Sequence, residues 1–314
     1  MGKANDYKNL WVEKYRPDDL ESLVLEDYIR DDIGKYAKAG EIPHLLLYGQ
    51  AGGGKTTLAK VLVNDILDCE YHYINASDKN GVDVIRGEIK DFAERRSMDG
   101  KLKVIILDEC DGLSSNSGTG SSAQDALRNL MEEYAHNVRF ILTANYFNKL
   151  SSPIVSRCIV YPINPPLKEF TIRCFNVLKE EGITTTRKEF VPYIQKCYPD
   201  MRKAINSMQR DSKDGKLEIR DTGLESQQIV RDIICHIKDK KSHVALRKII
   251  IERSPEFSND YRLLLSELFN YVYESDLLDA EKRLYMIELS SGLYKHEQVM
   301  DKEVNAYATL LKLY

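Results

Sequence analysis

Gly49-Gln50-Ala51-Gly52-Gly53-Gly54-Lys55-Thr56 follows the apolar run Leu45-Leu46-Leu47-Tyr48 and precedes Thr57-Leu58-Ala59-Lys60-Val61-Leu62-Val63. The stretch fits the phosphate-binding pattern G-x-x-x-x-G-K-[ST] in the context that pattern needs, a strand before it and a helix after it. Glycines let backbone N–H groups turn inward around phosphate oxygens without Cβ clashes, and the following helix adds the positive end of its dipole. Lys55 supplies a point charge for the β- and γ-phosphates and Thr56 a hydroxyl for Mg²⁺. Gly49, Gly52, Gly53, Gly54, Lys55, Thr56 and Thr57 are therefore the first candidate nucleotide-binding residues. A glycine-rich turn that binds nothing would not need both flanks.

Outward from this loop, residues 44–164 alternate between strand and helix patterns, the signature of a parallel sheet covered on both faces. Strands are expected at His44–Tyr48, Tyr71–Asn75, Val104–Leu107, Val138–Thr143 and Ile159–Pro162, with helices near 55–67, 83–97 and 123–136. Val104–Leu107 ends in Asp108 and Glu109. A buried strand can place Asp108 at its C-terminal edge beside Mg²⁺, with Glu109 next to it to orient or deprotonate an attacking water. The strand ending Thr143-Ala144-Asn145 places an amide where it can bond the γ-phosphate or the lytic water; a turn-forming asparagine is the plainer alternative.

Pro162-Ile163-Asn164-Pro165-Pro166 should end the sheet domain, because proline cannot continue a ladder. Residues 167–211 then read as two or three helices, Ser212–Lys216 as a turn, and the chain from about Gly223 as amphipathic helices. The stripes Ile229/Ile233/Ile234/Ile237 and Leu263/Leu264/Leu265/Leu268 are core or subunit contact. The expected organisation is a nucleotide-binding domain over 1–165, a small helical domain over 166–222 and an all-α domain over 223–314.

With 43% hydrophobic and 30% charged residues, the chain has the composition of a soluble globular protein. No apolar run approaches the roughly 20 residues of a membrane span, and the N-terminus has no secretory core. The six cysteines show no C-x₂-C spacing, which argues against structural zinc and fits a reducing compartment. A net charge of −4 argues against a whole-surface nucleic-acid binder but leaves room for a local basic face. Lys79, Arg86, Lys90, Arg95, Arg96, Lys101 and Lys103 concentrate in one segment. Asp78, Asp83, Glu88, Asp91 and Glu94 interleave with them, so a solvated helix with charge pairs is an equal reading.

Phosphate loop, Asp-Glu strand, polar sensor and helical tail together resemble an AAA+ ATPase. Trp11-Val12-Glu13-Lys14-Tyr15-Arg16-Pro17 is similar to the N-terminal box of the replication factor C small subunits. Asn75-Ala76-Ser77-Asp78, Ala126-Leu127-Arg128, Ser156-Arg157-Cys158 and Pro199-Asp200-Met201-Arg202-Lys203-Ala204 match further boxes of that family in order, over residues 11 to about 210. The Tyr-Pro-Asp-x-Arg-Lys form and Arg128–Tyr134 look closer to the ATPase subunit of T4-like phage clamp loaders than to cellular ones.

The resemblance implies an adenine pocket lined by Val12, Glu13, Lys14, Tyr15 and Arg16 with Val24. It implies Asn145 as first sensor, Arg202 as a second sensor reaching the γ-phosphate of the same subunit, and Arg157 as an arginine finger acting on ATP in the adjacent subunit. Arg128 belongs to that interface, and Gln124 matches a glutamine that couples the nucleotide site to the neighbour. Backbone-directed DNA contact falls to helix N-termini and to Lys79 and Arg86, which reconciles DNA binding with a negative net charge. The stripe Ile89–Phe92–Ala93 is an alternative contact to the clamp.

The chain departs from the family at three places. Gln-Ala-Gly-Gly replaces the usual Pro-Pro-Gly-Thr, which predicts a looser loop. Asn80 stands where relatives carry Arg or Lys, which puts the DNA-sensing switch on Glu109 in question. Residues 112–122 form a longer loop before a helix expected to face DNA.

The expected protein is an ATP- and Mg²⁺-dependent subunit of a sliding-clamp loader, with a pentameric hetero-oligomer, the ring clamp and primer–template DNA as partners and no membrane. Its expected location is the cytoplasm, that of the host for a viral chain, and the nucleus only in a eukaryote. Two rivals are another AAA+ machine, such as a helicase loader or branch-migration motor, and a non-catalytic loader subunit. A bacterial-type loader ATPase is disfavoured by the absent zinc cysteines.

Overall fold

The computed structural model describes residues 10–77, 82–95, 102–113, 122–218, 222–257, 259–296 and 299–314. The chain divides into two compact units, Met1–Ile219 and Arg220–Tyr314.

The first unit opens with helices α1 (Trp11–Lys14) and α2 (Asp27–Ala39), neither expected from the strand–helix alternation, which starts only at His44. The sheet domain then runs β1 (Leu45–Tyr48), α3 (Lys55–Val61), β2 (Glu70–Asn75), α4 (Val82–Glu94), β3 (Lys103–Asp108), α5 (Ala123–Glu133), β4 (Val138–Ala144), α6 (Ser152–Val155) and β5 (Ile159–Pro162). Helix α3 continues as a π-helical turn over Leu62–Ile66. All pairings in this sheet are parallel, in the order β2-β3-β4-β1-β5.

The central strands are mostly apolar, on both faces, because both faces are covered. Alternate residues divide between two cores: Leu46, Ile105, Leu107 and Leu142 pack with α4 and α5, whereas Leu45, Leu47, Val104, Ile106 and Ile141 pack with α2 and α3. This two-sided burial fixes register, since a one-residue slip would exchange the two cores.

Two sequence expectations are corrected here. Lys103 does not belong to a basic face. It is 1% exposed, its amine donates to the Phe92 and Arg95 carbonyls that end α4, and it lies over the Phe92 ring. Orphan carbonyls at a helix C-terminus attract a cation, which is how a lysine comes to be buried. Burial pushes its amine below the usual lysine range. Ile89, Phe92 and Ala93 are buried in the core against the sheet and present nothing to a partner. Lys79 and Asn80 lie outside the described residues, as do 114–121 of the long loop.

After Pro162 the chain leaves the sheet and forms α7 (Leu167–Glu180), α8 (Arg187–Gln195) and α9 (Met201–Asp211). Their own core, Phe170, Cys174, Val177, Leu178, Phe190, Ile194 and Met208, also receives Tyr15 from the N-terminal box. The segment expected as a plain turn is a two-stranded hairpin of β6 (Ser212–Lys213) and β7 (Lys216–Leu217), with Gly215 at φ +75° in its turn.

The second unit consists of α10 (Thr222–Lys238), α11 (His243–Glu252), α12 (Tyr261–Glu274), α13 (Asp279–His296) and α14 (Lys302–Leu311). Its core holds Ile229, Ile233, Ile234 and Ile237 with Leu264, Leu265 and Leu268; Leu263 is exposed. No helix among the described residues is long and apolar enough to cross a membrane.

Candidate nucleotide site

Parallel pairing brings the C-terminal ends of β1, β3 and β4 to one edge of the sheet, where ligands of open α/β sheets bind. Tyr48 pairs with Ala144, and Leu107 with Leu142, so the chain leaves β1 for the phosphate loop beside Asn145, with Asp108 one strand further. The loop turns through left-handed backbone at Gly52 (φ +74°) and Gly54 (φ +96°) before α3 begins at Lys55.

The predicted charged groups converge. The Lys55 ammonium donates to the Gly49 and Gln50 carbonyls, both at 2.9 Å, and to Asn145 Oδ1 at 2.8 Å. Burial lowers the Lys55 pKa, and the Asp108, Asp111 and Glu109 carboxylates oppose that shift. Asp108, 7% exposed, accepts on Oδ1 from Thr56 Oγ1 (2.8 Å) and Thr143 Oγ1 (2.5 Å) and on Oδ2 from the Tyr73 hydroxyl (2.7 Å). Glu109 is exposed, has left-handed backbone at φ +58°, and donates its N–H to Thr143 Oγ1 at 3.0 Å. Asp111 accepts the backbone N–H groups of Asn145 and Tyr146, both at 3.1 Å, and so fixes the end of β4.

A cavity adjoins the loop. Gly52, Gly53, Gly54, Lys55, Thr56 and Thr57 form one side, Val12, Tyr15, Arg16 and Val24 another, and Met201, Arg202 and Ile205 of α9 a third. Apolar walls beside a rim of N–H groups and cations suit a flat base carrying phosphates. The structure therefore brings most of the predicted nucleotide residues together. Glu13 and Lys14 do not line the cavity: Glu13 accepts from Arg16 at 2.9 Å, and Lys14 pairs with Glu181 at 2.7 Å. Gly49 does not line the cavity either, and a Cβ there would come within 2.5 Å of the Ile163 carbonyl.

The phosphate loop is tied down rather than loose. Met201 N donates to the Gly52 carbonyl at 3.1 Å, and a Cβ on Gly52 would fall 1.8 Å from Asp200 Oδ1. Asp200 meanwhile caps α9 by accepting from Lys203 N at 2.9 Å. The absence of a side chain at Gly52, a glycine that this loop shares with the usual family form, thus permits close approach of the α9 N-terminus.

Arg157 occupies the other end of the sheet. It precedes β5, whose Ile159 pairs with Leu45 at the start of β1. At about 3.3 Å per residue, about 13 Å of strand separates it from the loop that follows Tyr48, too far for its guanidinium to reach. Arg157 instead pairs with Glu132 and donates to the Pro153 carbonyl at 2.7 Å. Arg128 bonds Asn129, and Gln124 is buried, donating to the Leu113 and Lys149 carbonyls and accepting from Ser151 N at 2.7 Å. Arg86 is exposed on α4. Helix α5 starts in a capping box in which Ser122 and Asp125 satisfy one another's backbone N–H.

Sequence reasoning missed Tyr73, Thr143, Asp111 and Arg173. Tyr73 shares a strand face with Asn75 by simple alternation, but only the β2–β3 register, Asn75 opposite Asp108, brings that face to the carboxylate. Arg173, which donates to the Tyr15 carbonyl at 3.3 Å, carries no signal at all in its helix.

Residues 45–162 match the ATPase family associated with various cellular activities (AAA). The replication factor C small subunit of Methanoregula boonei is 40% identical over 208 residues, 64% of this chain and 62% of that protein, so the match spans less than two thirds of its length. That of Aeropyrum pernix is 35% identical over 274 residues, 83% of this chain and 82% of that protein. Among solved structures, a variant of RuvB from Thermotoga maritima superimposes with a TM-score of 0.53 at 16% identity, covering 92% of this chain and 90% of that one, a likeness of fold alone. With the AAA core in place and a relative matched along most of both lengths, the chain belongs to the replication factor C small-subunit family of clamp-loader ATPases.

Proposed function

We propose that this chain hydrolyses ATP as one subunit of a hetero-oligomeric loader that opens a ring-shaped sliding clamp and places it on primer–template DNA during replication. The observation that supports this reading best is the division of the sheet: the hydrogen-bonded pairs Lys55–Asn145 and Thr56–Asp108 stand side by side at one end, and Arg157 stands at the other.

ATP would place its base against Val12, Tyr15, Val24 and Ile205 and its phosphates on the N–H groups of the loop, with Lys55 and Arg202 at their charged end. The donors at Thr56 and Asp108 fit Mg²⁺: oxygen groups only, on a buried carboxylate whose described partners are hydroxyls and not a cation. Mg²⁺ held there supplies charge neutralisation to the β- and γ-phosphates. Glu109 takes the proton of a water whose oxygen attacks the γ-phosphorus as the bond to the bridging oxygen breaks, giving ADP and phosphate. Arg157 donates to the γ-phosphate of the neighbouring subunit, which makes turnover depend on assembly. Arg86 and Lys79 would meet the DNA backbone and read shape rather than sequence.

Steady-state hydrolysis with and without primer–template DNA and candidate clamps tests the reading, with Lys55→Ala as control. Turnover stimulated by DNA and clamp and lost in the variant is the expected result. Turnover indifferent to both would point to another AAA+ role, and ATP binding without turnover, even beside co-expressed partner subunits, to a structural one.

A further inference from the structure

Tyr73 is a side chain bonded to the nucleotide site from outside the phosphate loop and the Asp-Glu strand. It lies on β2, an edge strand, and is 36% exposed. A tyrosine placed for burial would turn its ring inward. Here the ring stays at the surface and the hydroxyl reaches in, donating to Asp108 Oδ2 at 2.7 Å. The Lys60 ammonium lies 4.9 Å from the ring centroid and steadies the ring from the α3 side.

The bonds on Asp108 are distributed unequally. Oδ1 accepts from Thr56 and Thr143, and Oδ2 accepts from Tyr73. A carboxylate offers about four acceptor positions, so the described hydroxyls leave about one, on Oδ2. Without Tyr73, the oxygens could rotate about the Cβ–Cγ bond against the two threonines on one side alone. With it, the carboxylate plane is pinned from both sides and the remaining lone pair keeps one direction. Outer partners of a ligating carboxylate act in this way.

We propose that Tyr73 is a positioning residue for Mg²⁺: through its hydrogen bond to Oδ2 it sets the orientation in which Asp108 meets the cation that accompanies ATP. The proposal rests on the ATPase reading above. It assigns to β2 a part in the site that the phosphate loop and the Asp-Glu strand do not contain.

The test measures binding rather than turnover, on the full chain. ATP affinity is determined by calorimetry in EDTA and in excess Mg²⁺ for the wild type and for Tyr73→Phe, which keeps the ring over Lys60 and removes only the hydroxyl. Mn²⁺ affinity of the ATP-saturated chain is read separately by electron paramagnetic resonance. The expected result is an unchanged metal-free ATP affinity, with the gain from Mg²⁺ and the Mn²⁺ affinity each reduced about tenfold. An undiminished Mg²⁺ gain in Tyr73→Phe overturns the assignment and leaves the ATPase reading intact. An equal loss with and without metal also overturns it, because the hydroxyl would then support the fold of the site and not the cation. A wild-type chain that binds no ATP, or gains nothing from Mg²⁺, removes the ATPase reading and this proposal with it.

Discussion

The two ends of the parallel sheet are built by opposite rules. At the C-terminal end, four predicted polar groups of the phosphate site already have partners from the same chain: Lys55 with Asn145, and Asp108 with Thr56, the carboxylate also accepting from Thr143 and Tyr73. At the N-terminal end, Arg157 holds one carboxylate, Glu132, at a half-exposed position. Preorganisation at one end and a loosely held cation at the other suit a binding site complete in each chain and a catalytic group meant for another. The difference teaches where loss of binding and loss of turnover should separate.

The largest effect expected is that of Arg157→Ala. If Arg157 acts in trans as proposed, its removal should cost about 10³–10⁵ in hydrolysis by the assembled loader. ATP affinity of the isolated chain should stay within error, because Arg157 is a strand's length from its own loop. Turnover by the assembly and calorimetric ATP affinity together check this. Weakened binding in the isolated chain would mean that the two ends are not independent.

The second effect concerns pH and again separates the ends. His44 lies just before β1, and its Nδ1 accepts from Phe140 N at 3.0 Å. Burial, with Arg139 nearby, lowers its pKa from 6.5 to about 4. The unfolded chain therefore takes up this proton first, and stability falls as pH drops from about 6.5 to about 4, by up to roughly 3 kcal/mol. Above pH 6.5 the group is neutral in both states and contributes no slope. Urea unfolding followed by Trp11, the single tryptophan, should show this slope in wild type and lose it in His44→Gln. An unchanged slope in the variant would place the acid sensitivity elsewhere.

How far these ends were legible beforehand follows from what each needs. The phosphate loop, Asp108 and Asn145 sit at fixed offsets from strands that are apolar on both faces, so pattern alone located them, with strand boundaries off by no more than about two residues. Helix α2 is not announced by the loop motif, because nothing in that motif refers to it. A lysine that caps a helix end, as Lys103 does, and one that faces solvent look alike in a charged run; only the packing of β3 under α4 distinguishes them. Ile89, Phe92 and Ala93 carry a helical period that says one face is apolar, not what covers it. The Tyr73–Asp108 bond depends on register between β2 and β3, which local sequence does not carry.

A third, smaller effect tests whether the complete end owes its order to α9. Gly52→Ala would put a methyl on left-handed backbone and against Asp200. The conformational cost is about 1–2 kcal/mol, and displacing Asp200 from its cap about 1 kcal/mol more. Reduced ATP affinity and a lower thermal midpoint are expected together. Should Gly52→Ala leave both unchanged, the contact between loop and helix would be incidental.

The smallest effect sharpens the other end. Glu132→Gln releases Arg157 from its ion pair while keeping a neutral acceptor in place. Since both side chains are partly exposed, at 32% and 51%, the pair should be worth less than about 1 kcal/mol, and stability should barely move. If the guanidinium must leave Glu132 to reach a neighbouring nucleotide, its release can speed assembled turnover by no more than the same energy, roughly fivefold. A rise of a hundredfold would reveal that the pair latches the arginine away until assembly. A fall would mean that Glu132 keeps hold of Arg157 and aims it across the interface, so that the loosely held end is more ordered than its exposure suggests.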